Sequence, residues 1–258
     1  METLLPNYID TTTAIIVNSN TTTAEFIMRR DTTYQYSSSG FNNDLTTTTL
    51  RINFTETLAV SRIILSAMNF RGFDVYYNGV TANTFVIAAG ALTTASTWTA
   101  NSETSLYLAV TSVNCTSVSI DIRNTQSANA EKALGYCVLS DIIYTFDRIP
   151  SASNYKPVLD SIQVSHKLSN GSTRTQIIEE RWSFNLKYEF LDSTMVTNLR
   201  ALYNRRDGFI FVPFNTGTGW DGIVSPVVWE NDFEFYKYSE NASTAGFSGS
   251  IKLLETEP

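Results

Sequence analysis

The feature that most constrains the fold is the stretch of residues 50–79, which alternates apolar and polar side chains with the period of a β-strand. Three apolar sets follow one another along it: Leu50, Ile52 and Phe54; the continuous run 63–65; and Phe73, Val75 and Tyr77. Because the polar breaks between the sets are short, three consecutive strands must lie close together. The pattern predicts the centre of a β-sandwich, and it contains no constellation of catalytic residues.

The composition favours sheet over helix in the rest of the chain. Threonine occurs in runs at 11–13, 21–23 and 46–49, and charged residues make up only 17% of the chain. Threonine suits half-buried strands, whereas serine and asparagine suit the turns between them. Strand patterns recur up to residue 146 with hardly any helical periodicity, which indicates a sandwich or a jelly roll.

The net charge of −7 argues against nucleic acid or an anionic membrane as a partner, since both need clustered lysine or arginine. No run approaches the roughly 20 apolar residues of a membrane span. The N-terminal residues show no signal-peptide pattern, so we expect synthesis in the cytoplasm and no membrane insertion.

A linker is predicted at residues 146–156, where Pro150, two serines and Asn154 interrupt the patterns on both sides. At 258 residues the chain is long enough for two domains. We therefore predict one domain at residues 1–150 and a second at 151–258.

The second half combines strands with a single helix. Asn170 and Gly171 predict a hairpin turn, and residues 181–190 alternate so strictly that one face of their strand is apolar and must be covered. A helix is predicted near 192–206, because an apolar stripe follows a capping Asp192 or Ser193. The second domain is thus predicted to be a β-sheet or small barrel with one helix.

The first half resembles the discoidin or galactose-binding-like jelly roll over roughly residues 14–147. The resemblance rests on residues 50–54, 63–65 and 73–77 and on a lysine, two residues, glycine and apolar strand at 132–139. It implies a β-sandwich. The cysteines are not at that family's usual terminal positions, and no acidic calcium loop stands out.

The second half resembles the tail-tube and distal-tail proteins of bacteriophages, particularly minor tail or baseplate proteins joined to a discoidin-like domain. The matching segments are residues 181–190, the helix 192–204, residues 208–214 and residues 247–253. The resemblance implies a structural component of a virion tail or baseplate, located in the virion. It also implies a homo-oligomeric ring with other virion proteins as partners.

The residues offer little for catalysis or metal binding. His166 is the only histidine, which excludes a Ser-His-Asp site elsewhere and any multi-histidine metal site. Asp232 and Glu234 alternate with phenylalanines and are predicted to face solvent. Cys115 and Cys137 sit in strand-like segments as buried thiols, with a disulfide between neighbouring strands as the alternative. We expect no enzyme activity, no catalytic residues, no metal and no cofactor.

Aromatic side chains provide the alternative function, non-catalytic glycan binding by the first domain. Aromatic rings in or beside loops can stack on sugars, or they can anchor a subunit interface. The candidates are Tyr34, Tyr36 and Phe41, which the turn-rich segment 31–44 predicts to be exposed, together with Trp98 and Tyr107. A glycine-rich loop in the second domain is a candidate interface with a neighbouring subunit, through Thr218, Trp220 and Asp221.

Overall fold

The structure is a computed structural model of the chain, and it is mainly β. It describes residues 1–258 except 18–20, 29–33, 39–43, 80–84, 88–99, 147–149, 151–154, 206, 214–223, 238–245 and 257–258. The fold class predicted from the sequence is confirmed: a β-sandwich comes first, and a β-sheet unit with one α-helix follows.

The strands, in chain order, are β1 (Glu2–Leu4), β2 (Thr12–Val17), β3 (Tyr36–Ser37), β4 (Thr48–Met68), β5 (Phe70–Gly79), β6 (Phe85–Ile87), β7 (Leu106–Thr125), β8 (Ala133–Ser140), β9 (Ile142–Thr145), β10 (Tyr155–Lys167), β11 (Thr173–Leu191), β12 (Phe209–Val212), β13 (Ser225–Trp229), β14 (Phe235–Lys237) and β15 (Phe247–Glu255). The α-helix, α1, spans Ser193–Tyr203. Two 3-10 helices, Tyr8–Thr11 and Thr21–Met28, precede β2 and β3.

The chain divides into two compact units, and the division differs from the predicted boundary near residue 150. The sandwich unit comprises residues 7–142, whereas the C-terminal unit comprises residues 1–6 together with 143–258. The first residues join the C-terminal unit because β1 pairs with β12 and because Met1 and Leu4 are buried. Strands β1 and β9 are neighbours in that sheet, so the sandwich is inserted in the chain between two adjacent strands.

Strands β4 and β7 run through both layers of the sandwich. In one layer, the first part of β4 pairs with β2 on one side and with the second part of β7 on the other. Beyond β7, this layer continues with β5 and then β6. In the other layer, the second part of β4 pairs with the first part of β7 on one side and with β8 on the other. Beyond β8, this layer continues with β3. The two strands predicted at residues 50–54 and 63–65 are therefore one strand, whose pairing with β7 shifts between Asn53 and Leu58.

The two layers of the sandwich are covered differently. The β2–β4–β7–β5 layer buries one apolar face, and its other face carries polar side chains. The β3–β8–β4–β7 layer is buried on both faces, since the successive residues Ile63, Ile64 and Leu65 are all fully buried. The 3-10 helix Thr21–Met28 packs against β8 and contributes buried Ala24 and Ile27.

The two cysteines lie on different partners of β4. Cys115 of β7 is opposite Leu58, whereas Cys137 of β8 is opposite Leu65. Seven residues along a strand correspond to more than 20 Å, far beyond the reach of a disulfide. Both cysteines are buried free thiols, in agreement with the first of the two predicted alternatives.

The sheet of the C-terminal unit follows the order β10, β11, β15, β13, β12, β1 and β9, with β14 also paired to β15. The predicted hairpin turn joins β10 to β11, and Gly171 adopts a φ of +85° there. That positive φ is accessible to glycine at little cost, which explains the residue at this position.

Helix α1 covers the apolar face of β11, as the alternation predicts. The Asp192 carboxylate accepts a hydrogen bond from the Met195 N–H at 2.7 Å and caps the helix. The buried helix side chains, Met195, Val196, Leu199 and Leu202, share one core with Phe184, Leu186 and Tyr188 of β11. Phe190 departs from the alternation: the register of β11 shifts after Tyr188, φ at Phe190 is +59°, and its side chain is exposed.

Candidate functional site

One face of the β2–β4–β7–β5 layer in the sandwich unit carries a group of polar side chains that are held by hydrogen bonds to one another. Residues opposite one another on paired strands point to the same side of a sheet. The strand register therefore places eight side chains together, and Arg123 joins them through its ion pair with Asp74: Thr49, Arg51, Asn53, Asp74, Tyr76, Ser117, Ser119, Asp121 and Arg123. We refer to this set as the polar face.

Three strands contribute to the polar face through one continuous row. Arg51 of β4 is opposite Ser119 of β7, and Ser119 is in turn opposite Tyr76 of β5. Two strand spacings separate Arg51 from Tyr76, which is about 10 Å. Ser119 is small and buried between two longer, half-buried side chains, and we refer to this row as the trough, with the serine as its floor.

Hydrogen bonds hold the arginine side of the trough in place. Arg51 Nε donates to Asn53 Oδ1 at 3.0 Å, and Arg51 Nη2 donates to Ser117 Oγ at 3.4 Å. Planar guanidinium and amide groups fixed in this way present donors and acceptors in set directions. This side of the trough is therefore preorganised for a polar ligand.

The tyrosine side is held by an ion pair. Arg123 pairs with Asp74, and the Asp74 carboxylate accepts a hydrogen bond from the Tyr76 hydroxyl at 3.4 Å. In the adjoining row, the Thr49 hydroxyl donates to Asp121 Oδ1 at 2.7 Å. The ring of Tyr76 thus lies beside two carboxylates, Asp74 and Asp121, that each accept a hydrogen bond or ion pair from another side chain of the protein.

A buried lysine braces the loops at one end of the sandwich. Lys132 is fully buried, and its Nζ donates to the Thr46 carbonyl at 2.7 Å. Burial lowers the pKa of Lys132, while the nearby Asp44 carboxylate raises it. Asp44 itself accepts hydrogen bonds from the backbone N–H groups of Thr125 and Asn129. This network ties the loop before β4 to the end of β7 and to the loop between β7 and β8.

The aromatic residues predicted from the sequence have separate surroundings. Tyr34 is 50% exposed and packs on Phe26 with ring centroids 5.4 Å apart. Tyr107 is half-buried, and its hydroxyl accepts a hydrogen bond from Arg62 Nε at 2.8 Å. Tyr36 is fully buried on β3, so its predicted exposure is wrong: pairing with β8 turns its ring into the core.

The remaining predicted residues lie outside the described residues: Phe41, Trp98, Thr218, Trp220 and Asp221. Sequence reasoning missed the polar face itself. The alternation that identified Phe73, Val75 and Tyr77 as core also places Asp74 and Tyr76 on the opposite side, so the signal was present. The sequence does not predict the register that brings β4, β5 and β7 side by side.

Two cavities in the C-terminal unit show no arrangement for acid–base chemistry. One, of about 310 Å³, is lined by α1 and β9 and includes Arg205. The other, of about 530 Å³, lies beside His166 and Arg174. Neither lining contains a carboxylate. Asp232 and Glu234 are exposed, as the alternation predicts. The described part of the chain holds no group of three or more His, Cys, Asp or Glu placed to bind a metal ion.

Among the described residues, no helix has the length and apolar character needed to cross a bilayer. No protein-family model matches the chain, and no curated protein matches it by sequence.

Solved structures similar to this chain include several carbohydrate-binding modules. Chitosan-binding module 1 of a chitosanase/glucanase from Paenibacillus sp. IK-5 is 11% identical with a TM-score of 0.41, and the alignment covers 52% of this chain and 97% of that one. A pectin-binding carbohydrate-binding module is 12% identical with a TM-score of 0.38, covering 50% and 89%. The module CBM32-3 of a family 31 glycoside hydrolase from Clostridium perfringens is 11% identical with a TM-score of 0.40, covering 54% and 94%.

Proposed function

We propose that this protein is a non-enzymatic glycan-binding protein and that its sandwich unit holds carbohydrate on the polar face. The observation that carries the proposal is the row Arg51–Ser119–Tyr76, a trough with a small floor between a fixed arginine and an aromatic ring.

The chemistry of the polar face matches that of a sugar. A pyranose ring has an apolar C–H surface that packs on an aromatic face, and its hydroxyls need donors and acceptors around the rim. Tyr76 supplies the aromatic surface, while Arg51 and Asn53 supply fixed polar groups on the opposite side. Half-buried carboxylates at Asp74 and Asp121 accept hydrogen bonds from hydroxyls.

The proposal is tested with the full chain on an array of oligosaccharides that includes chitooligosaccharides, pectic oligosaccharides and galactosides. The affinity for the best array ligand is then measured by calorimetry. We expect Tyr76→Ala to weaken binding about tenfold or more, because an aromatic platform contributes on the order of 1.5 kcal/mol. A Ser119→Phe variant fills the floor of the trough and should weaken binding to a similar extent.

Tyr34→Ala is the matched control, since Tyr34 is the exposed tyrosine that the sequence pointed to. If Tyr34→Ala abolishes binding while Tyr76→Ala leaves it unchanged, the loop residues and not the polar face hold the ligand. Unchanged melting temperatures of Tyr76→Ala and Tyr34→Ala show that the effects of these two variants are local. Absence of binding to every array ligand would contradict the proposal.

A second candidate function is the structural role in a phage tail or baseplate implied by the sequence resemblance, with a ring of subunits located in the virion. The observation that favours it is the set of exposed aliphatic side chains on the β10–β11 hairpin, including Val158, Leu159 and Ile178, which suits contact with another subunit. Mass spectrometry of purified particles tests it: detection at a fixed copy number supports the role, and absence from particles excludes it.

A further inference from the structure

The C-terminal unit extends a two-stranded hairpin beyond the rest of its sheet. Strands β10 and β11 pair along residues 155–186, but β15 pairs with β11 only from Ser183 onward. A hydrogen bond from the Trp182 N–H to the Glu255 carboxylate, at 2.8 Å, marks the end of the wider sheet. We refer to residues 158–181 as the arm. Nine residues of β11 precede Trp182, so the two-stranded part is about 30 Å long.

The arm has open strand edges. Strand β10 is the last strand in the sheet order, so along its length it has β11 as its partner on one side among the described strands. Its backbone groups on the other side are available to another strand. A two-stranded hairpin by itself is marginally stable in water, which makes such an arm a natural place for additional pairing.

Apolar side chains are exposed on both faces of the arm. Val158, Leu159, Val164, Ile177 and Ile178 are between 36% and 61% exposed. Register places Leu159 and Ile177 on one face and Val158 and Val164 on the other, while Ile178 is the extra residue of a bulge. Burying this aliphatic surface would stabilise an assembly through the hydrophobic effect.

Charges are segregated along the arm. Exposed Lys167 and Arg174 lie at the tip beside the turn, next to His166. Exposed Asp160 and Glu180 lie at the base, on paired strands one residue out of register. Half-buried Arg181 is opposite Asp160, so the tip of the arm is basic and its base carries two exposed carboxylates beside one arginine.

We propose that two copies of this chain associate through their arms, with the β10 strands pairing antiparallel about a twofold axis. Antiparallel pairing places the basic tip of one arm against the acidic base of the other, twice in one complex. A twofold axis perpendicular to the sheet keeps like faces together, so the exposed aliphatic residues of both copies lie on shared faces of the combined sheet. The partner is therefore a second copy of this chain. This inference does not depend on glycan binding by the sandwich unit.

Charge reversal tests the orientation of the pair. The tip variant carries Lys167→Glu and Arg174→Glu, and the base variant carries Asp160→Lys and Glu180→Lys. We expect each variant alone to dimerise about tenfold or more weakly than the unmodified chain, because like charges then meet at both ends. An equimolar mixture of the two variants should restore the dimer to within about threefold, since opposite charges meet again.

Sedimentation equilibrium of the full-length proteins, with a fluorescent label on one member of the mixture, measures these affinities. The matched control is Glu56→Lys with Glu103→Lys, which makes the same net-charge change as the base variant at exposed sites of the sandwich unit. The control should dimerise like the unmodified chain. Circular dichroism spectra and melting temperatures check that every variant folds, which surface substitutions at exposed positions should allow.

Four results would overturn the proposal. The first is a chain that stays monomeric up to about 100 μM, a weak limit for a specific interface. The second is dimerisation that neither reversed variant weakens. The third is a mixture that fails to restore association, which would show that the tip of one arm does not meet the base of another. Assembly of the unmodified chain into a larger ring that survives both reversals would also count against it.

Discussion

The polar face of the sandwich unit and the arm of the C-terminal unit are both solvent-facing parts of antiparallel sheets, yet they suit different partners. The polar face lies on strands paired on both sides, and its side chains hold one another through hydrogen bonds, as Arg51 does with Asn53. The arm has an open strand edge and exposed aliphatic residues such as Ile177. A sheet interior with fixed polar groups suits a small ligand, whereas an open apolar edge suits another strand.

The largest effect is expected when the arm is removed. Replacing residues 160–180 with an Asn-Gly turn joins Leu159 to Arg181 beyond the end of the wider sheet. We expect self-association to fall more than about 100-fold, because both the open edge and the charges are lost. Glycan affinity should stay unchanged. Sedimentation and calorimetry on the same preparation measure the two properties, and a parallel loss of glycan affinity would show that the two regions depend on each other.

The next effect concerns the bracing of the sandwich. Lys132→Met removes the hydrogen bond to the Thr46 carbonyl while keeping the length of the side chain. We expect the free energy of unfolding of the sandwich unit to fall by about 2 kcal/mol, because the carbonyl loses a charged donor. Hydrogen exchange of sandwich peptides, measured by mass spectrometry, should report this loss.

Lys132→Arg keeps the charge and tests how closely the site fits the lysine side chain. It should destabilise the unit as well, because the bulkier guanidinium does not fit a fully buried site. Faster exchange confined to peptides of the C-terminal unit would contradict the role assigned to Lys132.

Alkaline pH is expected to destabilise the sandwich unit by a smaller amount. Burial raises the pKa of the Cys115 thiol to about 11, above its ordinary value. Below pH 9 the thiol is protonated in both the folded and the unfolded chain, so stability does not change with its titration there. Between pH 9 and 11 the unfolded chain loses its proton first, and stability falls. Burial also raises the pKa of Cys137.

Urea unfolding at a series of pH values measures this loss, which we expect to be about 1.4 kcal/mol from Cys115 at pH 10. A variant with Cys115→Ala and Cys137→Ala should be less stable overall, because two core side chains are shortened, but its stability should depend less on pH. If the free energy of unfolding falls equally steeply with pH in the variant and in the unmodified chain, the thiols are excluded as the source of the pH dependence.

The sequence predicts local pattern well and long-range pairing poorly. It predicts the hairpin turn at Gly171, the capped helix after Asp192 and the apolar face of β11, because each depends on residues close together in the chain. It does not predict that β1 joins the sheet of the C-terminal unit, because that pairing links residues 2–4 to residues 210–212. The predicted domain boundary differs from the structure for the same reason.

The candidate sites show the same limit. Alternation in β4, β5 and β7 identifies which side chains face away from the core, but the row Arg51–Ser119–Tyr76 needs the register between strands. The protrusion of the arm depends on where β15 stops, at Glu255, and the β10–β11 pattern alone does not show it. Tyr36 fails as an exposed aromatic because its neighbours in the chain do not show its pairing with β8.

The helix cap gives an intermediate effect that separates packing from association. Asp192→Ala removes the acceptor for the Met195 N–H and should cost about 1 kcal/mol of stability in the C-terminal unit. Because α1 covers the core face of β11 at residues 184–188 and the arm lies earlier in the strand, self-association should be unchanged. Thermal unfolding and sedimentation of the variant test both statements, and Thr197→Ala, an exposed helix position, is the control.

The smallest effect is expected from the ion pair on the polar face, and it tests whether preorganisation matters there. Arg123→Gln removes the charge that holds Asp74, the carboxylate to which the Tyr76 hydroxyl donates. We expect glycan affinity to weaken by about threefold, since the ion pair is partly exposed to solvent and the ring of Tyr76 remains. Lys187→Gln is the control, because Lys187 forms an ion pair with Glu189 in the other unit.

In the double variant with Tyr76→Ala, the loss from Arg123→Gln should disappear, because the arginine acts by positioning the tyrosine. Additive losses would mean that Arg123 contacts the ligand directly.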